Sequence, residues 1–286
     1  MNKRTIIAIV LVVIGIAAVG IGAFRLWQIH VQNTNDQAVS NDLRDTHNNG
    51  GRSSDGIDQG LAALNARNPD CIYWLRIPDT EIDYPVMYRP ADKDYYLNKD
   101  FNEKWSAAGT LYMAEHCDPE TSDNLIIYGH HMSTGTMFAH LDDYKSEDFY
   151  KKHKYIELET LQGHEDYEII AAFTTPVYTG NDFEYYNFST AENEAEYNNF
   201  ALNCKQKSLY KAGFMPKYGQ RLLTLSTCEY SQKNGRMVIV AAQIDKQSGG
   251  QLLTLHQNAD SGQQRTAGQQ VQIDEALPTE GESDGR

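Results

Sequence analysis

The sequence predicts a mainly β body with peripheral helices, carried behind a membrane-spanning segment. Three observations predict it. Seven short apolar or alternating segments recur between residues 72 and 243, joined by short connections. That is the pattern of a closed or nearly closed barrel. An uninterrupted apolar run fills residues 6–24. After Tyr230 no Phe, Trp or Tyr occurs again, so the core-forming aromatics end there.

The apolar run comes first, in an anchor region at residues 1–25. IIAIVLVVIGIAAVGIGAF holds no charged or strongly polar residue. As a helix it spans about 28 Å, close to the hydrocarbon thickness of a bilayer. A cleaved signal peptide would have an apolar core of about 7–15 residues and a small-x-small cleavage site. Neither fits the stretch before Arg25 and Trp27. Lys3 and Arg4 precede the run, which predicts a cytoplasmic N-terminus and an exported remainder. Residues 26–56 are mostly Asn, Asp, Gly, Ser and Gln and read as a polar spacer. A short helix is expected near Gln37–Arg44, broken at Asn48–Gly51.

Residues 57–247 form the folded body, large enough for one core. The expected strands are Ile72–Ile77, Thr110–Met113, Asn124–Tyr128, Tyr155–Glu159, Tyr167–Thr175, Arg221–Thr227 and Arg236–Gln243. Tyr155–Glu159 alternates, as a half-exposed strand does, and Asn124–Tyr128 is a short apolar run as in a buried one. Thr136–Leu141 reads as a short helix. Glu192–Lys211 reads as a long one, with Glu192, Glu194 and Glu196 at its start and Lys205, Lys207 and Lys211 at its end, complementing the helix dipole. Gly213 is its expected stop. Residues 248–286, rich in Gln, Gly, Ser and Thr, read as a disordered polar tail.

Composition excludes several classes. The 286 residues carry a net charge of −14, so no cationic excess exists to neutralise nucleic-acid phosphates. Hydrophobic residues at 41% and aromatics at 10% exclude wholesale disorder. Four Cys are too few for a disulfide scaffold and lack the paired spacing of a zinc site.

One Cys is placed for chemistry. Cys228 ends an expected strand, where a nucleophile is held rigidly and still exposed. His130 follows another strand, after Gly129, whose freedom permits a tight departure. Arg236 opens the strand after the turn, eight residues beyond Cys228. If strand 124–128 lies near strand 221–227, the three converge. A thiolate attacks a carbonyl, an imidazolium protonates a departing amine, and a guanidinium donates to the developing oxyanion. The backbone N–H of Glu229 is a second candidate donor. Spacing alone leaves the bland alternatives open: a buried Cys, a loop His and a surface Arg.

A resemblance sharpens this. TLSTC at Thr224–Cys228 with a downstream Arg resembles the sortase signature, and YGHHM at Tyr128–Met132 resembles the histidine segment of class B sortases. YPVM (Tyr84–Met87), YYLNKDF (Tyr95–Phe101), AGTLYM (Ala108–Met113) and MFAHLDDY (Met137–Tyr144) are similar to class B segments in the same order. The resemblance covers roughly residues 60–244. It implies a closed eight-stranded β-barrel and matches His130, Cys228 and Arg236 to the family's catalytic residues. Ser226 and Thr227 would line the substrate groove, and His131 would take a structural or rim role. It further implies cleavage of an NPQTN-like C-terminal sorting signal after Thr, through a thioester on the Cys. The acyl group then passes to a cell-wall peptide amine or a pilin lysine. The polar tail departs from the class B pattern. No cofactor or metal is called for.

For the other cysteines, Cys71 and Cys204 are expected in the core. Cys117, beside Asp118 and Pro119, is expected in an exposed loop. Two further functions share the residues: a cysteine endopeptidase that releases to water, and a non-catalytic surface scaffold. An amine-dependent ligated product separates the first from a transpeptidase, and a covalent adduct at Cys228 excludes the second.

Overall fold

The computed structural model describes residues 2–54, 56–180, 183–231 and 233–244. Eight strands are present: β1 (Cys71–Arg76), β2 (Asp83–Met87), β3 (Leu111–Met113), β4 (Asn124–Tyr128), β5 (Tyr155–Thr160), β6 (Gly163–Pro176), β7 (Leu222–Glu229) and β8 (Gly235–Gln243). They close into a barrel in the order β1-β2-β3-β4-β7-β8-β6-β5. The β2–β3 and β4–β7 pairs are parallel and the rest antiparallel.

The expected segments all appear, with two differences. The short β2 carries Pro85, which argues against a strand. Pro85 pairs with Trp74 of β1 and lies outside the short β2–β3 pairing, which covers only Val86 and Met87. β6 starts four residues earlier than expected, because polar residues 163–166 pair along β5.

Strand β8 is apolar on both faces, and β7 is buried on both, because both faces are covered. Leu223, Leu225, Met237, Ile239 and Ala241 point into the barrel core with Leu125 and Ile127. Leu222, Val238, Val240 and Ala242 point outward onto Tyr197, Phe200 and Cys204 of a helix, Glu194–Lys207. Asn193 caps that helix, accepting from the N–H of Glu196 at 3.1 Å. The helix ends at Lys207, earlier than expected. Ser208 and Leu209 are drawn onto β6, where the Leu209 N–H donates to Ala172 O at 2.8 Å and the Ala172 N–H donates to Ser208 Oγ at 3.1 Å. Gly213 therefore lies past the end and is not the stop. In place of a helix at Thr136–Leu141 there is a 3₁₀ helix at Ala139–Lys145.

The N-terminal helix, α1, runs without a break from Lys3 to Gly50. The stretch expected as an irregular spacer is thus helical up to Gly50, and the chain turns at Gly51, at the expected Asn-Asn-Gly-Gly break. The polar composition hid a docking face. Leu43 is buried with Leu61, Leu64, Trp74, Met87 and Phe101. Arg44 Nε donates to Asp83 O at 3.0 Å, and the His47 ring stacks on Trp74 at 4.1 Å. A second helix, α2 (Gln59–Arg67), follows, capped by Asp58 through the Leu61 N–H at 2.7 Å. A Cβ on Gly60 would sit 2.1 Å from His47 O, so only glycine permits this helix crossing.

Cys71 and Cys204 are buried, as expected. Cys117 is not exposed. It is 1% accessible and its Sγ donates to Asn124 O at 3.4 Å, because the loop folds back over the start of β4. Burial pushes the thiols of Cys71 and Cys117 up to about 12 and about 11, and that of Cys204 upward as well. The tail expected at residues 248–286 lies outside the described residues.

Candidate active site

Strand register brings the three candidate residues together. β4 runs parallel to β7 with Asn124 opposite Leu222 and Tyr128 opposite Ser226. His130 follows β4 by two residues, as Cys228 follows Ser226 by two on β7. The Gly129 N–H donates to Ser226 O at 3.2 Å, which holds the start of the segment after β4 beside β7. On the other side, Cys228 pairs with Arg236 across the antiparallel β7–β8 ladder. Cys228 therefore sits on the middle strand of three, about 4.8 Å from the β8 backbone, with the segment that follows β4 on its other side. All three side chains are half-buried and line one cavity of about 400 Å³.

Gly129 serves this geometry through space rather than dihedral freedom. A Cβ there would lie 2.4 Å from Leu111 Cδ2 and 2.7 Å from Phe138 Cδ2. The His130 backbone is pinned where the Phe138 N–H donates to its carbonyl at 2.9 Å. Its Nε2 lies 2.8 Å from Leu97 O. A carbonyl only accepts, so Nε2 carries a proton and Nδ1 is the nitrogen left to gain and lose one.

Ser226 and Thr227 contribute to the cavity lining, and their hydroxyls are engaged. Ser226 Oγ pairs with Tyr185 OH at 2.7 Å, and Thr227 Oγ1 donates to Gly129 O at 2.8 Å. Both are buried and brace the strands from beneath. Burial pushes the Tyr185 phenol above its usual range. The Glu229 side chain turns away into a separate network. Lys145 Nζ donates to Glu229 Oε1 at 2.7 Å and to Asp142 Oδ2 at 3.1 Å. Ser231 donates to Glu229 through N and Oγ at 3.0 and 2.7 Å. Burial opposes ionisation of Glu229, but Lys145 and Ser231 outweigh it and hold the carboxyl below its usual range. His131 belongs to this network, with Nε2 3.4 Å from Asp142 and its ring edge-on to Tyr230.

Sequence reasoning missed three residues: Leu97, Tyr185 and Lys145. Leu97 lies in the YYLNKDF segment, but a backbone carbonyl leaves no sequence signal. Tyr185 and Lys145 come from loop and 3₁₀ segments with no periodicity to place them. Among the described residues, no cluster of three or more His, Cys, Asp or Glu is placed to hold a metal.

The model of the Sortase domain family matches residues 75–244. Sortase B of Staphylococcus aureus (strain NCTC 8325 / PS 47) is 30% identical over 244 residues, covering 83% of this chain and 95% of that protein. A Staphylococcus aureus sortase B–substrate complex superposes with a TM-score of 0.68 at 28% identity, covering 76% of this chain and 99% of that one. Sortase B from B. anthracis in complex with AAEK1 superposes with a TM-score of 0.67 at 26% identity, covering 76% and 100%. The match in fold, in extent and in the order of its segments leads to one conclusion: the chain belongs to the sortase family, in its class B, and is a cysteine transpeptidase.

Proposed function

We propose that Cys228, His130 and Arg236 carry the reaction, on a C-terminal sorting signal of the NPQTN type. The Cys228 thiolate attacks the carbonyl carbon of the signal's Thr. Arg236 donates to the oxygen on which charge develops, and the backbone N–H of Glu229 is the candidate second donor. His130, protonated at Nδ1, gives its proton to the departing amine as the C–N bond breaks. The product is a thioester on Cys228. An acceptor amine then attacks the thioester, His130 takes its proton, and an amide forms as the thiolate leaves. The acceptor is a cell-wall peptide amine or a pilin lysine. Helix α1 holds the enzyme in the membrane through residues 6–24, N-terminus inside and barrel outside. An apolar helix long enough to span a bilayer and the Lys3–Arg4 flank support that placement.

The observation that supports this reading is that Cys228 pairs with Arg236 across β7–β8 and shares one cavity with His130, two residues past the end of β4. The test incubates the protein with an NPQTN-type peptide, with and without triglycine, and follows products by mass spectrometry. A thioester adduct at Cys228 and a triglycine-ligated product are expected. Cys228→Ala should abolish both and His130→Ala nearly so, while Arg236→Ala should cost at least about 100-fold. Hydrolysis that triglycine does not divert would make the protein an endopeptidase. No adduct at all would make it a scaffold.

A further inference from the structure

Trp105 is a large apolar side chain left 65% exposed, yet its backbone is fixed. It forms a β-bridge with Lys99, and its carbonyl accepts from Gln32 Nε2 of α1 at 3.3 Å. The contacts of α1 with the body descend in order along the helix. His47 stacks on Trp74, Leu43 packs with Phe101 in one core cluster, Asp36 and Ser106 line one small cavity, and Gln32 meets Trp105. In moving from Ser106 to Trp105 the loop therefore steps toward the apolar end of α1. Gln32 is eight residues past Phe24, about 12 Å along the helix axis, and five past Trp27, about 8 Å. The headgroup layer is about 5–8 Å thick on each side of the hydrocarbon, so with Trp27 at the hydrocarbon edge Gln32 lies at the outer rim of that layer and the Trp105 indole enters it by reaching back along α1. Trp27 is itself 59% exposed at the end of the apolar run, where interfacial aromatics collect. Lys104, beside Trp105, is exposed and free to reach anionic headgroups.

We propose that Trp105 is a second membrane contact: the Lys99–Trp105 loop rests on the bilayer interface and seats the Trp105 indole among the lipid headgroups. The proposal rests on the reading of α1 as a membrane anchor. It matters for the reaction because this loop continues directly from the 3₁₀ turn Tyr95–Asn98, whose Leu97 carbonyl holds His130. The Ser106 N–H donating to Asn98 O at 3.0 Å ties the two together. Seating Trp105 would fix the height and tilt of the cavity above the lipid, where a sorting-signal protein still held in the same membrane must present its signal.

The test places the full chain in nanodiscs of phosphatidylglycerol and phosphatidylcholine brominated near the headgroup end of the acyl chains, and reads tryptophan quenching. Trp74 is 1% exposed and stacked on His47, far up the helix, so it serves as the unquenched reference. Trp27→Phe should lose fluorescence in proportion to bromolipid content. Trp27→Phe/Trp105→Phe should lose none. If Trp27→Phe is unquenched while Trp105→Phe is quenched through Trp27, the anchor reading stands and the proposal is overturned. If neither single variant is quenched, both fall. Quenching that persists in the double variant comes from elsewhere and also overturns the proposal.

Discussion

Lys145→Met tests whether the end of β7 is held by charge. The Glu229 side chain is 2% exposed and Lys145 40%, so the substitution strands a buried carboxylate while removing an ammonium that water still reaches. Breaking a fully buried pair costs about 3–5 kcal/mol. The exposure of Lys145 and the two Ser231 donors that remain reduce this, and about 1–2 kcal/mol is expected. Urea unfolding of the detergent-solubilised chain at neutral pH should show it as a lower midpoint. The pH dependence gives the sign. The folded carboxyl of Glu229 lies below its usual range. Its contribution is therefore present above the unfolded value of about 4.3 and is lost as pH falls through the lower folded value. The gap between wild type and variant should be level near neutrality and close in acid. Lys145→Met/Glu229→Gln should recover part of the loss, since no stranded charge remains. An unchanged midpoint at neutral pH, or a gap that persists in acid, would refute the reasoning.

Two further outcomes follow from the same structure. Gly129→Ala places a methyl against fully buried Leu111 and Phe138 and should cost about 1–3 kcal/mol in urea unfolding. It should also lower kcat by shifting His130, whereas a glycine needed only for loop flexibility would leave both nearly unchanged. His164, on β6, lies 2.8 Å from both Glu159 and Asp166. Burial opposes its protonation, but the two carboxylates outweigh this and raise it to about 9. The raised value stabilises fully below the unfolded value of about 6.5 and is lost as pH rises through about 9, a fall of roughly 2–3 kcal/mol. Unfolding followed across that range should show the decline in wild type and little of it in His164→Gln.

Most of the barrel was legible because β4 and β8 are buried on both faces and read as nearly unbroken apolar runs, while β7 keeps leucines at 222, 223 and 225. The proposed catalytic residues were legible because each sits at or near the end of a strand, and the resemblance around Cys228 singled out one Cys. What escaped has a common physical cause. Residues 26–50 look like a linker by composition, yet a few side chains, Leu43, Arg44 and His47, dock that helix to the barrel. Pro85 concealed β2, since sequence does not show that the neighbouring strand stops short of it. Cys117 looked exposed because burial in a loop depends on where the chain returns. Leu97 acts through its carbonyl, which every residue possesses.

The placement of the site also explains why its residues need not hold one another. Successive residues on a strand point to opposite faces, so a one-residue slip of β8 would carry Arg236 away from Cys228 and bring Met237 outward. Such a slip would also exchange Val238 and Val240, packed against the outer helix, for Ile239 and Ala241, packed in the core. Both layers would be mispacked at once, at a cost spread over many buried side chains. The register that aligns the trio is therefore enforced by apolar packing well away from it. His130, Cys228 and Arg236 remain half-exposed, and the hydrogen bonds of His130 to Leu97 O and of Arg236 to Gly235 O run to backbone carbonyls. Their replacement by Ala should accordingly abolish or cripple transfer while leaving the unfolding midpoint within about 0.5 kcal/mol of wild type. A large loss of stability in Cys228→Ala would mean that the site helps to hold the barrel after all.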